Sequence, residues 1–262
     1  MARVLALSSH VVRGSIGLQA IGSALRGLGH EVWALPTILL SNHPGHRSSG
    51  GVATPVDRID VMIDALEANG WLGEIDAVIT GYLPSVAHVA AAVRALQSVK
   101  IARPDMMFLC DPVLGDDPKG LYIAADTAAA LRDRLVPLAD ILTPNRFELA
   151  WLTGRTIASP ADAIAAAGKL KAGQLKAGTV IATSVPATPG NIANICVTQT
   201  EPLSVEVPRL DHVPHGTGDY LSGLYLGHVL GGASADAALR SATSGVAAAI
   251  AASAGRDELL LD

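Results

Sequence analysis

Residues 2–37 read ARVLALSSHVVRGSIGLQAIGSALRGLGHEVWALPT. The first run, ARVLALSS, is short and apolar and ends in Ser8 and Ser9, the pattern of a buried strand. A glycine-punctuated segment from about Ser15 to Leu28 reads as a helix, and EVWALPT reads as a second strand. Strand–helix–strand is the unit from which parallel sheets are built. Further along, Thr54-Pro55-Val56-Asp57 offers a capping hydroxyl, a first-turn proline and an early acid before another helix. DAVITGY, MMFLCDP and ADILTPN are apolar runs that each end in polar or glycine residues, with helices expected near residues 84–99 and 120–134. Ser159-Pro160-Ala161-Asp162 repeats the helix-start chemistry, and GTVIATS is the next strand. NIANICVTQT and LSVEVPRL then read as a hairpin, and two apolar helices close the chain near 218–230 and 234–253.

This alternation predicts an α/β fold with a mainly parallel central sheet, helices on both faces and a hairpin in the C-terminal half. No break in composition divides the chain, so residues 1–262 are expected to form one domain. In open sheets of this kind ligands bind outside the carboxyl ends of the strands. The residues to watch are therefore Ser9, Tyr82, Asp111, Asn145, Glu148 and Thr183.

Composition narrows the function. Half the residues are hydrophobic and 16% are charged, which suits a substantial core. A net charge of −5 and only 3% aromatic residues offer neither a basic footprint nor stacking platforms for nucleic acid. Cys110 and Cys196 lie in apolar stretches, as buried thiols do. The apolar run Val4–Leu7 is too short for a signal peptide and no stretch is long enough for a membrane span, so a cytoplasmic protein is expected. There is no G-x-x-x-x-G-K-[ST] loop, no G-x-G-x-x-G, no H-E-x-x-H or C-x-x-C pair, and no G-x-S-x-G elbow.

Three stretches carry chemistry. Gly216-Thr217-Gly218-Asp219 opens a helix that is apolar on nearly every side. Its glycines let the backbone approach a ligand, and the free amides of a helix start favour an anion. Taken alone, it is equally an ordinary helix start with a capping acid. Asn145 and Glu148 share one helical face and would suit magnesium, although N-x-x-E is also a capping box. Asp111 and Asp116 lie in CDPVLGD at a strand end, where turn acids are common.

In combination the three are more specific. SSHVVRGSIG, SNH, TGY, CDPVLGD, VPLADILTPNRFE and GTGD, in that order, resemble the pyridoxal kinase branch of the ribokinase-like superfamily of small-molecule kinases. The resemblance reaches to about residue 230 and implies a three-layer ribokinase-like sandwich. It implies ATP-dependent phosphorylation of the 5′-hydroxyl of a vitamin B6 vitamer, with ATP and Mg2+ as cofactors and a monovalent cation such as K+ left open. Asp219 would be the general base, and the amides of Gly216, Thr217 and Gly218 the anion hole. Asn145, Glu148 and Asp111 would organise magnesium, partly through water, with Asp116 facing the phosphates. Thr143, Thr183 and Ser184 would line the ATP side, and Tyr122 would help close the site after the loop Asp117–Gly120. Ser9, Ile16 and Tyr82 would meet the pyridine ring. His43, which follows Ser41-Asn42, is either a substrate contact or a solvent-exposed loop residue. Family members are commonly homodimers, so a homodimer is expected.

Three departures stand out. Pro44 occupies a usual threonine position and His46 a usual tyrosine, while His215 before GTGD is unusual. They bear on the identity of the alcohol. Two alternatives stay open: a kinase for another small alcohol such as hydroxymethylpyrimidine or a sugar, and a non-catalytic binder of pyridoxal phosphate.

Overall fold

The computed structural model describes residues 1–173 and 178–261. Its strands are β1 (Arg3–Val11), β2 (Glu31–Leu40), β3 (Gly51–Ala53), β4 (Ala77–Thr80), β5 (Met107–Cys110), β6 (Gly115–Asp116), β7 (Gly120–Leu121), β8 (Ile141–Leu142), β9 (Thr179–Pro186), β10 (Asn191–Val197) and β11 (Leu203–Pro208). The α-helices are α1 (Leu18–Gly27), α2 (Val56–Ala68), α3 (Val86–Ala102), α4 (Ala125–Ala130), α5 (Arg146–Thr153), α6 (Pro160–Gly173), α7 (Thr217–Leu230) and α8 (Ala235–Ala252).

One sheet runs β11-β10-β9-β8-β5-β4-β1-β2-β3, and β6 and β7 form a separate small hairpin. The central pairs β2–β1, β1–β4, β4–β5, β5–β8 and β8–β9 are parallel. The antiparallel β9–β10–β11 meander includes the expected hairpin, and the short β3 adds an antiparallel edge beside β2. Side chains alternate across the sheet with period two, as the pleat requires. Val4 and Ala6 of β1 face a core shared with α1, α7 and α8. Leu5 and Leu7 face the other core, built with α2, α3, α5 and α6. The result is three layers. Cys110 and Cys196 are buried and unpaired in these cores.

The connection β1–α1–β2 lies on one face, and β4–α3–β5 on the other. Strand order therefore reverses beside β1, and the crevice at such a reversal is where open α/β sheets hold ligands. Several elements differ from expectation. β1 runs past Ser8-Ser9 to Val11, because a bulge between Ser8 and Ser9 lets β2 keep pairing with it. Thr54 does not cap α2; its hydroxyl donates to the Pro36 carbonyl at 2.7 Å. The helix expected from residue 120 starts only at Ala125, since Gly120-Leu121 pairs with Gly115-Asp116 as the β6–β7 hairpin. It then loosens into a π turn, Leu131–Leu135, and a 3₁₀ turn, Val136–Leu138, in which Pro137 has no amide to donate. No helix among the described residues is long and apolar enough to cross a membrane.

Candidate active site

A cavity of about 630 Å³ opens at the carboxyl ends of the central strands. Its floor is the start of α7. Gly216 sits at φ +97°, and a Cβ there would lie 1.8 Å from the Ser15 carbonyl oxygen, so only glycine fits. No side chain caps this helix. Among the described residues, the amides of Thr217, Gly218 and Asp219 have no internal acceptor and line the cavity. Behind them α7 is buried from Leu221 to Gly227. Gly223 lets it approach α1 closely, since a Cβ would meet the Ala24 Cβ at 2.8 Å.

Asp219 is partly buried and joins the two helix starts, its Oδ2 accepting the Gly17 amide at 2.9 Å. Loss of solvent pushes its carboxyl up to about 6, against the lowering effect of the Gly17 N–H. Asp111, at the end of β5, is buried. Burial, then the charges of Glu148 and Asp219, raise its carboxyl well above the usual range. Its Oδ2 accepts from the Ser222 hydroxyl at 2.7 Å, and the Ser222 oxygen lies 2.9 Å from the Thr143 hydroxyl. Ser222, one turn beyond Asp219, thus ties α7 to the ends of β5 and β8. Nothing in its sequence neighbourhood marks it.

Asn145 and Glu148 form a complete capping box at the start of α5. Asn145 Oδ1 accepts the Glu148 amide and Glu148 Oε2 accepts the Asn145 amide, both at 2.9 Å. Glu148 Oε1 also accepts the Leu114 amide at 2.8 Å, and Asn145 Nδ2 donates to the Gly115 carbonyl at 2.8 Å. The structural reading of N-x-x-E is therefore realised, yet both residues also line the cavity. Burial pushes the Glu148 carboxyl up to about 7, although three backbone N–H groups hold it down.

The other expected residues fall around this centre. Asp116 lines the cavity beside the β6–β7 hairpin, its carboxyl raised by burial. Thr183 lines the wall, its amide donating to the Pro144 carbonyl at 2.9 Å. Ser184 does not line the cavity; it is exposed, with φ +57°. Ser9, Ile16 and Tyr82, which follow or belong to β1 and β4, line the same cavity together with His43. Tyr82 is anchored by its backbone, the amide donating to Ser8 Oγ at 3.1 Å and the carbonyl accepting from Thr37 at 2.6 Å. Tyr122 is 46% exposed at the rim, and Lys119 from the β6–β7 turn lines the cavity as well.

A family model described as phosphomethylpyrimidine kinase matches residues 53–258. Pyridoxal kinase PdxY of Corynebacterium diphtheriae is 36% identical over 248 residues, covering 92% of this chain and 86% of that one. The chain belongs to the pyridoxal kinase family. A pyridoxine/pyridoxal/pyridoxamine kinase of Bordetella bronchiseptica is 37% identical over 262 residues, covering 98% of this chain and 92% of its own. The solved pyridoxal kinase from Leishmania donovani, in complex with ADP and pyridoxamine, superposes with a TM-score of 0.92 at 27% identity. It covers 99% of this chain and 92% of that one. The fold of this kinase is accordingly the ribokinase-like three-layer sandwich.

The donors in the cavity also bear on magnesium. Asp111, Asp116, Glu148 and Asp219 all present carboxylates to one space, and burial raises all four. Such a set of hard oxygens fits a divalent cation. Among the described residues, however, no three metal-ligating side chains are placed to hold an ion directly. The fit is to a cation carried largely by nucleotide phosphates and water.

Proposed function

We propose that this chain is an ATP-dependent kinase that phosphorylates the 5′-hydroxyl of a vitamin B6 vitamer, giving pyridoxal 5′-phosphate from pyridoxal. The observation that carries the reading is Asp219 and the free amides of α7 at the floor of one cavity. Asp219 takes the proton from the substrate hydroxyl as the hydroxyl oxygen attacks the γ-phosphorus of ATP, the bond from that phosphorus to the bridging oxygen breaks, and ADP leaves. A carboxyl raised to about 6 is largely ionised at pH 7, yet more basic than a solvated aspartate. The Thr217 and Gly218 amides and the helix dipole offset negative charge on the transferring group. Positioning and electrostatics are most of what phosphoryl transfer asks of a protein.

Asp111, Glu148 and Asn145, which share the cavity with Asp219, would hold a Mg2+–nucleotide, and magnesium would supply charge neutralisation on the phosphates. Thr143 and Thr183 support the nucleotide side, and Ser9, Ile16, Tyr82 and His43 the pyridine side. Tyr122 and Lys119 stand at the rim beside the hairpin. The chain works as one domain, in the cytoplasm and as a homodimer. The curated relatives favour vitamin B6, whereas the matching family model keeps hydroxymethylpyrimidine as a second candidate alcohol.

Incubation with ATP, Mg2+ and each vitamer, followed by detection of the phosphorylated product, tests the assignment. Asp219→Asn is expected to lower kcat by about 10²–10⁴ with ATP affinity little changed. Near-parental turnover in that variant rules out the mechanism. Turnover of hydroxymethylpyrimidine with no vitamer phosphorylated moves the assignment to the second alcohol. Tight vitamer binding with no turnover of either would instead mean a binder.

A further inference from the structure

Three imidazoles meet at the rim of the cavity. His43 and His46 come from the loop between β2 and β3, and His215 is the residue before Gly216. The His43 and His215 rings stack, with centroids 3.7 Å apart and planes 24° from parallel. His46 meets both edge-on, at 6.5 Å from His43 and 5.8 Å from His215. Its Nε2 lies 2.8 Å from Glu258 Oε1, which ties the loop to the segment after α8. Face-to-face rings do not converge their nitrogens on one centre, and no metal-holding group occurs among the described residues.

The stack has a consequence for the proton on His43. Its Nδ1 accepts the Gly45 amide at 3.0 Å. A ring nitrogen that accepts carries no proton, so the neutral ring bears its hydrogen on Nε2. Nε2 has no partner among the described residues, and His43 lines the cavity. Charging the ring would turn Nδ1 into a donor facing the Gly45 amide. Burial first, then His215, Lys119 and His46, lower the His43 pKa to about 4. The nearby carboxylates, Asp257 and Glu258, are occupied with Arg13 and His46. His43 therefore stays neutral at physiological pH, as a fixed N–H donor.

The position of the stack suggests what that donor meets. In vitamin B6 the phosphorylated hydroxymethyl group and the carbon-4 substituent sit on neighbouring ring carbons. His43, His215 and Asp219 line one cavity, so a donor on His43 faces the space in which a vitamer's hydroxyl would meet Asp219. We propose that Gly45 and His215 lock His43 as an Nε2–H donor that reads the carbon-4 substituent and selects vitamers with an oxygen acceptor there. Pyridoxal and pyridoxine are then preferred over pyridoxamine, whose ammonium group offers only donors. The selection rests on the vitamin B6 reading above; the locked donor does not. His215 acts through His43 and is a positioning residue.

Two measurements test this. The first is kcat/KM for the three vitamers with the parent, His215→Phe and His215→Ala. The parent is expected to favour pyridoxal and pyridoxine over pyridoxamine by about tenfold or more, the scale of one hydrogen bond made against one refused. His215→Phe, which keeps an uncharged stacking ring, retains the ratio. His215→Ala brings it below about threefold through KM for the oxygen vitamers, with KM for ATP unchanged. Equal use of all three by the parent, or an unchanged ratio in His215→Ala, overturns the selection. The second is long-range ¹H–¹⁵N NMR of the imidazoles across a pH titration. His43 should hold the Nε2–H form at neutral pH and titrate near 4, with its midpoint rising in His215→Ala. Mixed tautomers, or titration near the ordinary 6.5, overturn the lock. This readout needs no turnover, so loss of the kinase reading and loss of the lock are told apart.

Discussion

Asp219 carries two consequences of one environment. Its carboxyl holds a proton up to about 6 in the folded chain against 3.8 in the ordinary state. Between those values the folded form binds more protons than the unfolded one, so this residue's contribution to stability is full below pH 3.8 and is lost as pH rises through 6. An asparagine has no charge to desolvate, and its Oδ1 can still accept the Gly17 amide. Asp219→Asn should therefore raise stability at pH 8 by on the order of 1–3 kcal/mol, with little difference from the parent near pH 3.5. Thermal denaturation of both proteins at the two pH values checks this. As the proposed base, the same group should set the acid limb, with kcat/KM for the alcohol falling below a pH of about 6. An acid limb near pH 4 would mean that Asp219 is solvated or is not the base.

The elements around Asp219 depend on links that cross the fold. α7 is held to β5 and β8 by the chain Thr143–Ser222–Asp111. Ser222→Ala removes the hydroxyl and leaves a buried carboxyl and a buried threonine short of a partner. It should destabilise the fold by about 1–3 kcal/mol, read from denaturant titration, and lower kcat more than it raises KM. Unchanged stability and unchanged kcat would show that water replaces the hydroxyl without loss. At α5 both meanings of N-x-x-E are true at once: the box caps the helix and the same side chains line the cavity. Local pattern could not separate them, because a cap and a wall use the same atoms. The helix expected near 120–134 starts late, at Ala125, for a related reason. Gly120-Leu121 pairs with Gly115-Asp116, and that pairing is stronger than the local helical tendency around it.

The molecule as a whole is a strand-order reversal beside β1 with the cavity at the strand ends. A homodimer is the expected assembly, and sedimentation velocity at micromolar concentration should give a single species of twice the 26.8 kDa chain mass. A profile at the chain mass would contradict it. The parallel sheet, the late hairpin and the all-round apolar α7 were legible in the chain because period and punctuation are local. So were GTGD, TPNRFE and CDPVLGD, since each keeps its defining residues within a few positions of one another in the chain. Ser222, the His43–His215 stack and the His46–Glu258 tie were not. Each joins residues that lie far apart in the chain, and such contacts depend on where whole elements dock. Residue type and order thus determined which groups are present at the strand ends. Packing of α7 against α1 and the sheet decided which of them share solvent, charge and protons, because burial and distance exist only once the layers have closed.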